Sequence, residues 1–201
     1  MSKQFEYFNP INENPRFQCT LIRVQCQHIL TNGERCSRIQ STGAGLCSQH
    51  LKTDQCLKIT TSTICNGGLG LFACDSNQLE GDVVFAYYRK RKRGDFITEY
   101  TGQVLSNAET DRRYGQHNTV PYGVWLNSTS IIDAACLRGI GSFSNHKNRR
   151  DANARLISDT KRVYLEATKP IRNGDEIFID YGRGYNIRQE GITYSHKTRD
   201  V

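Results

Sequence analysis

The sequence predicts a mainly β chain of the α+β class, built from small sheets with few helices and preceded by a small metal-binding unit. Three observations carry that expectation. Short runs alternate in polarity: Phe96, Thr98 and Tyr100 stand against Ile97 and Glu99, and Ile177, Ile179 and Tyr181 against Phe178 and Asp180. A period of two is the spacing of a half-buried strand. One stretch carries a full set of helix signals: Ser106-Asn107-Ala108-Glu109 is a capping box, and Gly115 can end the helix after Tyr114. Seven of the eight cysteines lie before residue 75, which separates a cysteine-rich front end from the rest.

A chain of 201 residues can bury one ordinary core plus a small appendage. The divisions expected are a tail or strap over 1–16, a Cys/His unit over 17–56, a β-rich domain over 57–185 and a C-terminal segment over 186–201. Apolar residues make up 37%, no stretch approaches the roughly 18 to 20 apolar residues of a membrane helix, and the opening Met-Ser-Lys-Gln-Phe-Glu lacks a signal-peptide pattern. A soluble, intracellular chain with no membrane partner is expected. The net charge of +7 suits an acidic partner such as DNA or nucleosomes, and bears on association rather than on fold.

In the front end, Cys26, Cys36, Cys47 and His50 form C-x9-C-x10-C-x2-H, with Gly33 before the second ligand and Gly43 and Gly45 before the third. Three thiolates and one imidazole suit tetrahedral zinc. The segment is too short for its own apolar core, so one structural zinc would supply its folding free energy. Cys19, His28, Cys56, Cys65 and Cys74 compete as ligands. Cys56 and Cys65 can also form a second site with Cys19, whereas Cys74 and Cys136 read as buried small hydrophobes. The motif resembles the small plant-type WRC zinc motif, which implies DNA binding or nuclear targeting.

Further along, five segments follow one another. They are Gly68-Leu69-Gly70-Leu71-Phe72-Ala73, Gly94-Asp95-Phe96-Ile97-Thr98-Glu99-Tyr100-Thr101-Gly102, and the pair Tyr122-Gly123-Val124-Trp125-Leu126 and Ile132-Asp133-Ala134. Then come Gly139-Ile140-Gly141-Ser142-Phe143-Ser144-Asn145-His146 and, from Pro170, a turn leading into Glu176-Ile177-Phe178-Ile179-Asp180-Tyr181-Gly182. In this order they resemble the SET domain of protein lysine methyltransferases, over roughly residues 64–185. The resemblance implies a SET-type β-clip fold of small curved sheets, with the C-terminal segment threaded under a loop as a pseudoknot that brings Asn145 and His146 beside Tyr181.

It also implies an enzyme that moves a methyl group from S-adenosylmethionine to a protein lysine; with the zinc motif and the basic charge it favours a histone tail, H3 above all, and leaves other protein lysines open. By resemblance, Tyr181 and Tyr100 are the catalytic tyrosines. Gly68, Leu69, Gly70, Tyr114, Asn145, His146 and Tyr181 would bind the cofactor, with Gly68 to Gly70 letting backbone approach it closely. Tyr100, Phe178, Ile179 and Tyr185 would line the lysine channel. Trp125 and Phe143 read as core or pocket wall, with core the expectation.

The chain departs from the family pattern in places. Ser142 stands where Arg is common, and Lys147 follows His146 where Ser is usual. No Cys-x-Cys follows Tyr181, so the zinc-binding cap of many relatives is missing, as in compact viral and microbial SET proteins. Tyr185, Tyr194 and the last residues, or a second subunit in a homodimer, would have to close the channel. An insertion before Gly94 carries the basic run Arg89 to Arg93, read as a solvated hairpin tip, a nuclear-import signal or a phosphate-contacting patch. The rival reading is a non-catalytic chromatin or DNA-binding protein that keeps the SET fold as a platform.

Overall fold

The front end is folded around its cysteines and then merges with the core of the domain behind it. The computed structural model describes residues 4–6, 18–20, 22–40, 44–74, 91–115 and 120–182. Strands β1 (Gln4–Glu6) and β2 (Gln18–Thr20) pair antiparallel. Residues 22–40 then form a narrow hairpin bridged at Gln25↔Ile39 and Ile29↔Arg35. Gly33, at φ +81°, makes its turn in a conformation that disfavours any Cβ. Helix α1 (Ser48–Gln55) follows, with the Cys47 sulfur accepting from the His50 backbone N–H as N-cap. The sequence gives no strong helix signal here; the cap and the two metal-type ligands define it. Leu51 of α1 and Ala44 lie in the same cluster as Leu57, Leu71 and Leu165, so the small unit borrows its core from the larger one.

That larger unit is a set of small sheets. Strand β3 (Leu57–Thr61) pairs antiparallel with β4 (Leu69–Ala73). Strand β5 (Phe96–Tyr100) pairs with β11 (Val163–Ala167), which pairs with β10 (Ala154–Ser158). A third sheet has the order β6 (Gln103–Ser106), β8 (Ser130–Asp133), β7 (Gly123–Asn127). Helix α2 (Asn107–Tyr114) leaves β6 through the expected capping box, with both reciprocal bonds formed, and stops at Gly115. A 3-10 turn over Ile140–Phe143 leads to β9 (Asn145–His146), and β12 (Phe178–Ile179) runs parallel to β9.

Two turns of the same build anchor the ends of this scaffold. In Lys92-Arg93-Gly94-Asp95 and in Arg172-Asn173-Gly174-Asp175 the Asp carboxylate accepts from the first residue's N–H, at 2.8 and 2.7 Å, and each Gly has positive φ. The residues just before them, Arg91 and Ile171, form an antiparallel bridge. That bridge changes the reading of the basic run: Arg91 is buried and its guanidinium donates to the Gln55 carbonyl at the C-terminus of α1 at 2.7 Å. A cation there satisfies an orphan helix carbonyl and the negative helix end. Lys92 and Arg93 are exposed, while Arg89 and Lys90 lie outside the described residues.

Two further expectations are corrected. Trp125 is 46% exposed, because strand alternation turns its neighbour Leu126 inward; Phe143 is buried as expected. Cys136 is half-buried and disulfide-bonded just past β8, where its carbonyl accepts from Ile22, and is not a packed free thiol. Cys74 is free and buried. The alternation expected of β5 and β12 is also incomplete. Ile97 and Thr98 are both buried, as are Ile177, Phe178 and Ile179, since both faces of these strands are covered.

Candidate active site and metal centre

In the front end, Cys26 N–H donates to the Arg38 carbonyl and Cys36 N–H to the His28 carbonyl, which sets the two cysteines across the hairpin from each other. Cys47 and His50, three residues apart at the start of α1, share one side of the helix. Cys26 Sγ and Cys47 Sγ each lie 3.3 Å from His50 Nδ1. The four donor atoms of Cys26, Cys36, Cys47 and His50 fall within 4.8 Å of one another, and all four side chains are buried. Zinc bonds of about 2.3 Å to sulfur and about 2.0 Å to nitrogen place tetrahedral donors about 3.5 Å apart, so the quartet fits the ion. Burial holds the His50 imidazole below its ordinary pKa, in the neutral form a metal needs. At Cys47 burial raises the thiol, but hydrogen bonds from the His50 backbone and Arg38 outweigh it and hold the pKa down.

His28 is not one of the four. Its ring stacks on His50 at 3.7 Å between centroids, and its Nδ1 lies 2.6 Å from Asp54 Oδ2, so it supports a ligand from outside. Among the described residues Cys56, Cys65 and Cys74 join no such cluster. Cys56 instead ends α1 in the left-handed conformation, and Cys65 is exposed. The side chain of Cys19 lies outside the described residues.

At the other end, the parallel register of β9 and β12 sets Asn145 beside Phe178 and His146 beside Ile179. The chain then delivers Tyr181, whose backbone N–H donates to His146 Nδ1 at 3.0 Å and whose hydroxyl donates to the Ser144 carbonyl at 2.7 Å. The His146 and Tyr181 rings are 5.1 Å apart. Since Nδ1 accepts the Tyr181 N–H through its lone pair, that nitrogen is unprotonated and His146 is a neutral ring; burial lowers its pKa despite Asp180. Tyr100 is buried and donates its hydroxyl to the Tyr122 carbonyl at 2.9 Å. Burial first, then the nearby Tyr181 and Tyr122, push its hydroxyl well above the ordinary range. The Arg138 guanidinium stacks 3.9 Å over the Tyr122 ring.

The remaining expected residues find varied places. Ile179 is buried beside His146. Phe178 is buried with the Lys147 ammonium 3.8 Å from its ring centre, so the departure at Lys147 is a cation resting on a channel candidate. Tyr114 is buried and donates to Asp133 Oδ2 at 2.7 Å. Gly68 has φ +66° with open space where a Cβ would stand, and Leu69 is 44% exposed. Gly70 is small for another reason: a Cβ there would lie 2.2 Å from Glu176 Oε1. Tyr185 and Tyr194 lie outside the described residues.

A family profile described as the SET domain matches residues 68–182. The chain belongs to the SET domain family. It is 26% identical over 180 residues to the histone-lysine N-methyltransferase Set2 of Drosophila melanogaster, covering 79% of this chain and 7% of that protein. It is 32% identical over 104 residues to the N-lysine methyltransferase KMT5A-B of Xenopus laevis, covering 47% and 31%. The chain thus spans less than a third of the length of either relative. Among solved structures, an active polycomb repressive complex 2 in the stimulated state shares the fold, with TM-score 0.50 and 24% identity over 69% of this chain and 17% of that one.

Two carboxylates of this SET domain carry roles that the sequence did not announce. Asp133 is fully buried and accepts from Arg113 at 2.7 Å, from the Tyr114 hydroxyl and from the Ala135 backbone, tying α2 to β8. Glu176 is buried and accepts from Ser62, Thr63 and Asn145. Burial raises its pKa, but those hydrogen bonds prevail and hold it below the ordinary carboxylate range.

Proposed function

We propose that this SET domain protein is an S-adenosylmethionine-dependent protein-lysine N-methyltransferase acting in the nucleus on a histone tail lysine, with H3 as the first substrate to test. The observation that carries the reading is the convergence of Asn145, His146 and Tyr181 across the β9–β12 pair, with Tyr100 buried close by. The similarity to Set2, a histone-lysine N-methyltransferase, supports it, and the net charge of +7 suits a nucleosomal partner.

The residues fit the cofactor. Open space beside Gly68, an exposed Leu69 and the Asn145 amide lie around one turn, since Asn145 Nδ2 donates to the Leu69 carbonyl at 3.1 Å. When bound, S-adenosylmethionine supplies a methyl group on a sulfonium, and the nitrogen–carbon bond forms as the carbon–sulfur bond breaks. The lysine must arrive neutral although its ordinary pKa is about 10.4. Apolar walls at Ile179 and Phe178 with the buried ring of Tyr100 disfavour an ammonium and so favour that form. Tyr181, fixed at both its backbone and its hydroxyl, would align the amine. Tyr114 and Tyr185 complete the proposed set as cofactor and channel residues.

One structural zinc is assigned to Cys26, Cys36, Cys47 and His50 on the fit of their donors. The test of the function is transfer of a labelled methyl from S-adenosylmethionine to core histones and nucleosomes, with mass spectrometry to locate the product. Label on a single lysine supports the reading; absence of cofactor binding overturns it in favour of a non-catalytic platform.

A further inference from the structure

Glu176 stands where three separate stretches of chain meet, and its four hydrogen bonds are arranged with no redundancy. Oε1 accepts from Ser62 Oγ at 2.7 Å and from Asn145 Nδ2 at 3.0 Å, while Oε2 accepts from Thr63 N at 2.7 Å and Thr63 Oγ1 at 2.6 Å. An ionised carboxylate only accepts, with about four lone-pair sites, so its capacity is filled. We propose that Glu176 is a positioning residue of the cofactor site, which fixes the Asn145 amide with its NH2 turned inward and its Oδ1 offered to the cofactor. The proposal rests on the methyltransferase reading above and deepens it.

The two Nδ2 protons of Asn145 meet two acceptors, the Leu69 carbonyl and Glu176 Oε1. Turning the amide over would set Oδ1 against both, so only one orientation is allowed, and Oδ1 is left as the acceptor for a donor on the cofactor. The same two bonds lock Asn145 to the exposed Leu69 turn. Gly70 confirms how closely the carboxylate is seated, since even a methyl group there would collide with it. Ser62 and Thr63, which complete the set, follow directly on β3. The chain therefore runs without a break from His50 on α1 through β3 to Ser62 and Thr63, the donors that hold the carboxylate beside Asn145.

Glu176→Gln keeps the shape but sets an NH2 against donors. With its oxygen kept for the Thr63 N–H, the new NH2 faces Asn145 and drives the amide over. The affinity for S-adenosylmethionine, measured by calorimetry, is expected to fall about tenfold or more, the scale of a lost hydrogen bond to a charged group. The turnover number at saturating cofactor should fall much less, a split that simple destabilisation does not produce. Ser62→Ala with Thr63→Val removes two hydroxyl donors from half-buried and exposed positions and keeps the Thr63 N–H and Asn145 bonds to Glu176, and a melting curve run alongside reports the fold. It should weaken the cofactor by about 3- to 10-fold. Cofactor binding unchanged in the second variant, or in Glu176→Gln where that folds, overturns the proposal. No cofactor binding by the unaltered protein overturns both this and the enzyme reading.

Discussion

The Tyr181 hydroxyl is held on the Ser144 carbonyl at 2.7 Å, one residue before the Asn145–His146 pair. The phenol is therefore aimed by the same turn that carries Asn145 and His146, the residues proposed for the cofactor. Its proton is committed to Ser144, so toward a substrate amine the oxygen can act only as an acceptor. Tyr181→Phe keeps the ring and loses that atom. Transfer is expected to drop by at least about 100-fold, the usual scale for removing one positioned polar group from a transition state. Cofactor affinity should stay within about threefold. Undiminished turnover in a single-turnover assay would remove Tyr181 from the mechanism.

Ser144 makes the opposite prediction for stability. Its carbonyl is used by Tyr181, but its own Oγ is buried and, among the described residues, has no hydrogen-bond partner. A buried hydroxyl without a partner costs about 1 to 3 kcal/mol against an apolar atom of similar size. Ser144→Ala should leave transfer intact and leave stability equal or higher by up to about 1 kcal/mol. A loss of more than that in urea denaturation would mean that the hydroxyl has a partner after all.

The metal unit should behave as part of the main fold rather than as an appendage. Leu51 and Ala44 contribute to the same core as Leu57 and Leu71, and Arg91 clamps the end of α1 to the β5 end of the scaffold. Chelation, or His50→Ala, is therefore expected to lower the melting temperature of the whole protein in one transition, by about 10 °C or more, because structural zinc supplies folding free energy outright. Elemental analysis should give about one zinc per chain. Two separate transitions, with the upper one unmoved, would show that the unit folds alone.

What was legible in the sequence was mostly local. The capping box at Ser106 and Glu109 with Gly115 as the stop is a four-residue signal, and the helix begins and ends on it. The quartet of Cys26, Cys36, Cys47 and His50 is a spacing signal, and the fold gathers those donors. The burial of a carboxylate was not legible, because it depends on donors far away in sequence. Glu176 is satisfied by Thr63 across 113 positions and Asp133 by Arg113 and Tyr114 from a helix. In a strand such residues read as solvent-facing. Arg91 failed for the same reason: a run of cations looks solvated until one of them finds the end of α1. Gly70 was legible as a required glycine but not for its cause, which is a side chain more than a hundred residues away.

His146 gives the last prediction, in pH. Its folded pKa is lowered, first by burial and against the pull of Asp180, and its Nδ1 accepts the Tyr181 N–H. In the unfolded chain the ring titrates near about 6.5. Between that value and the lower folded one, the unfolded state binds more protons, so stability rises with pH and is lost as pH falls below about 6.5. His50, also lowered by burial, adds a slope of the same sign. The comparison must therefore be with His146→Asn, which keeps the metal ligand and removes one titration. Melting temperatures of the two proteins, compared from pH 7.5 to about pH 5, should show the unaltered chain losing more. Parallel curves would mean that His146 is as easily protonated in the fold as outside it, and that the Tyr181 N–H does not depend on a neutral ring.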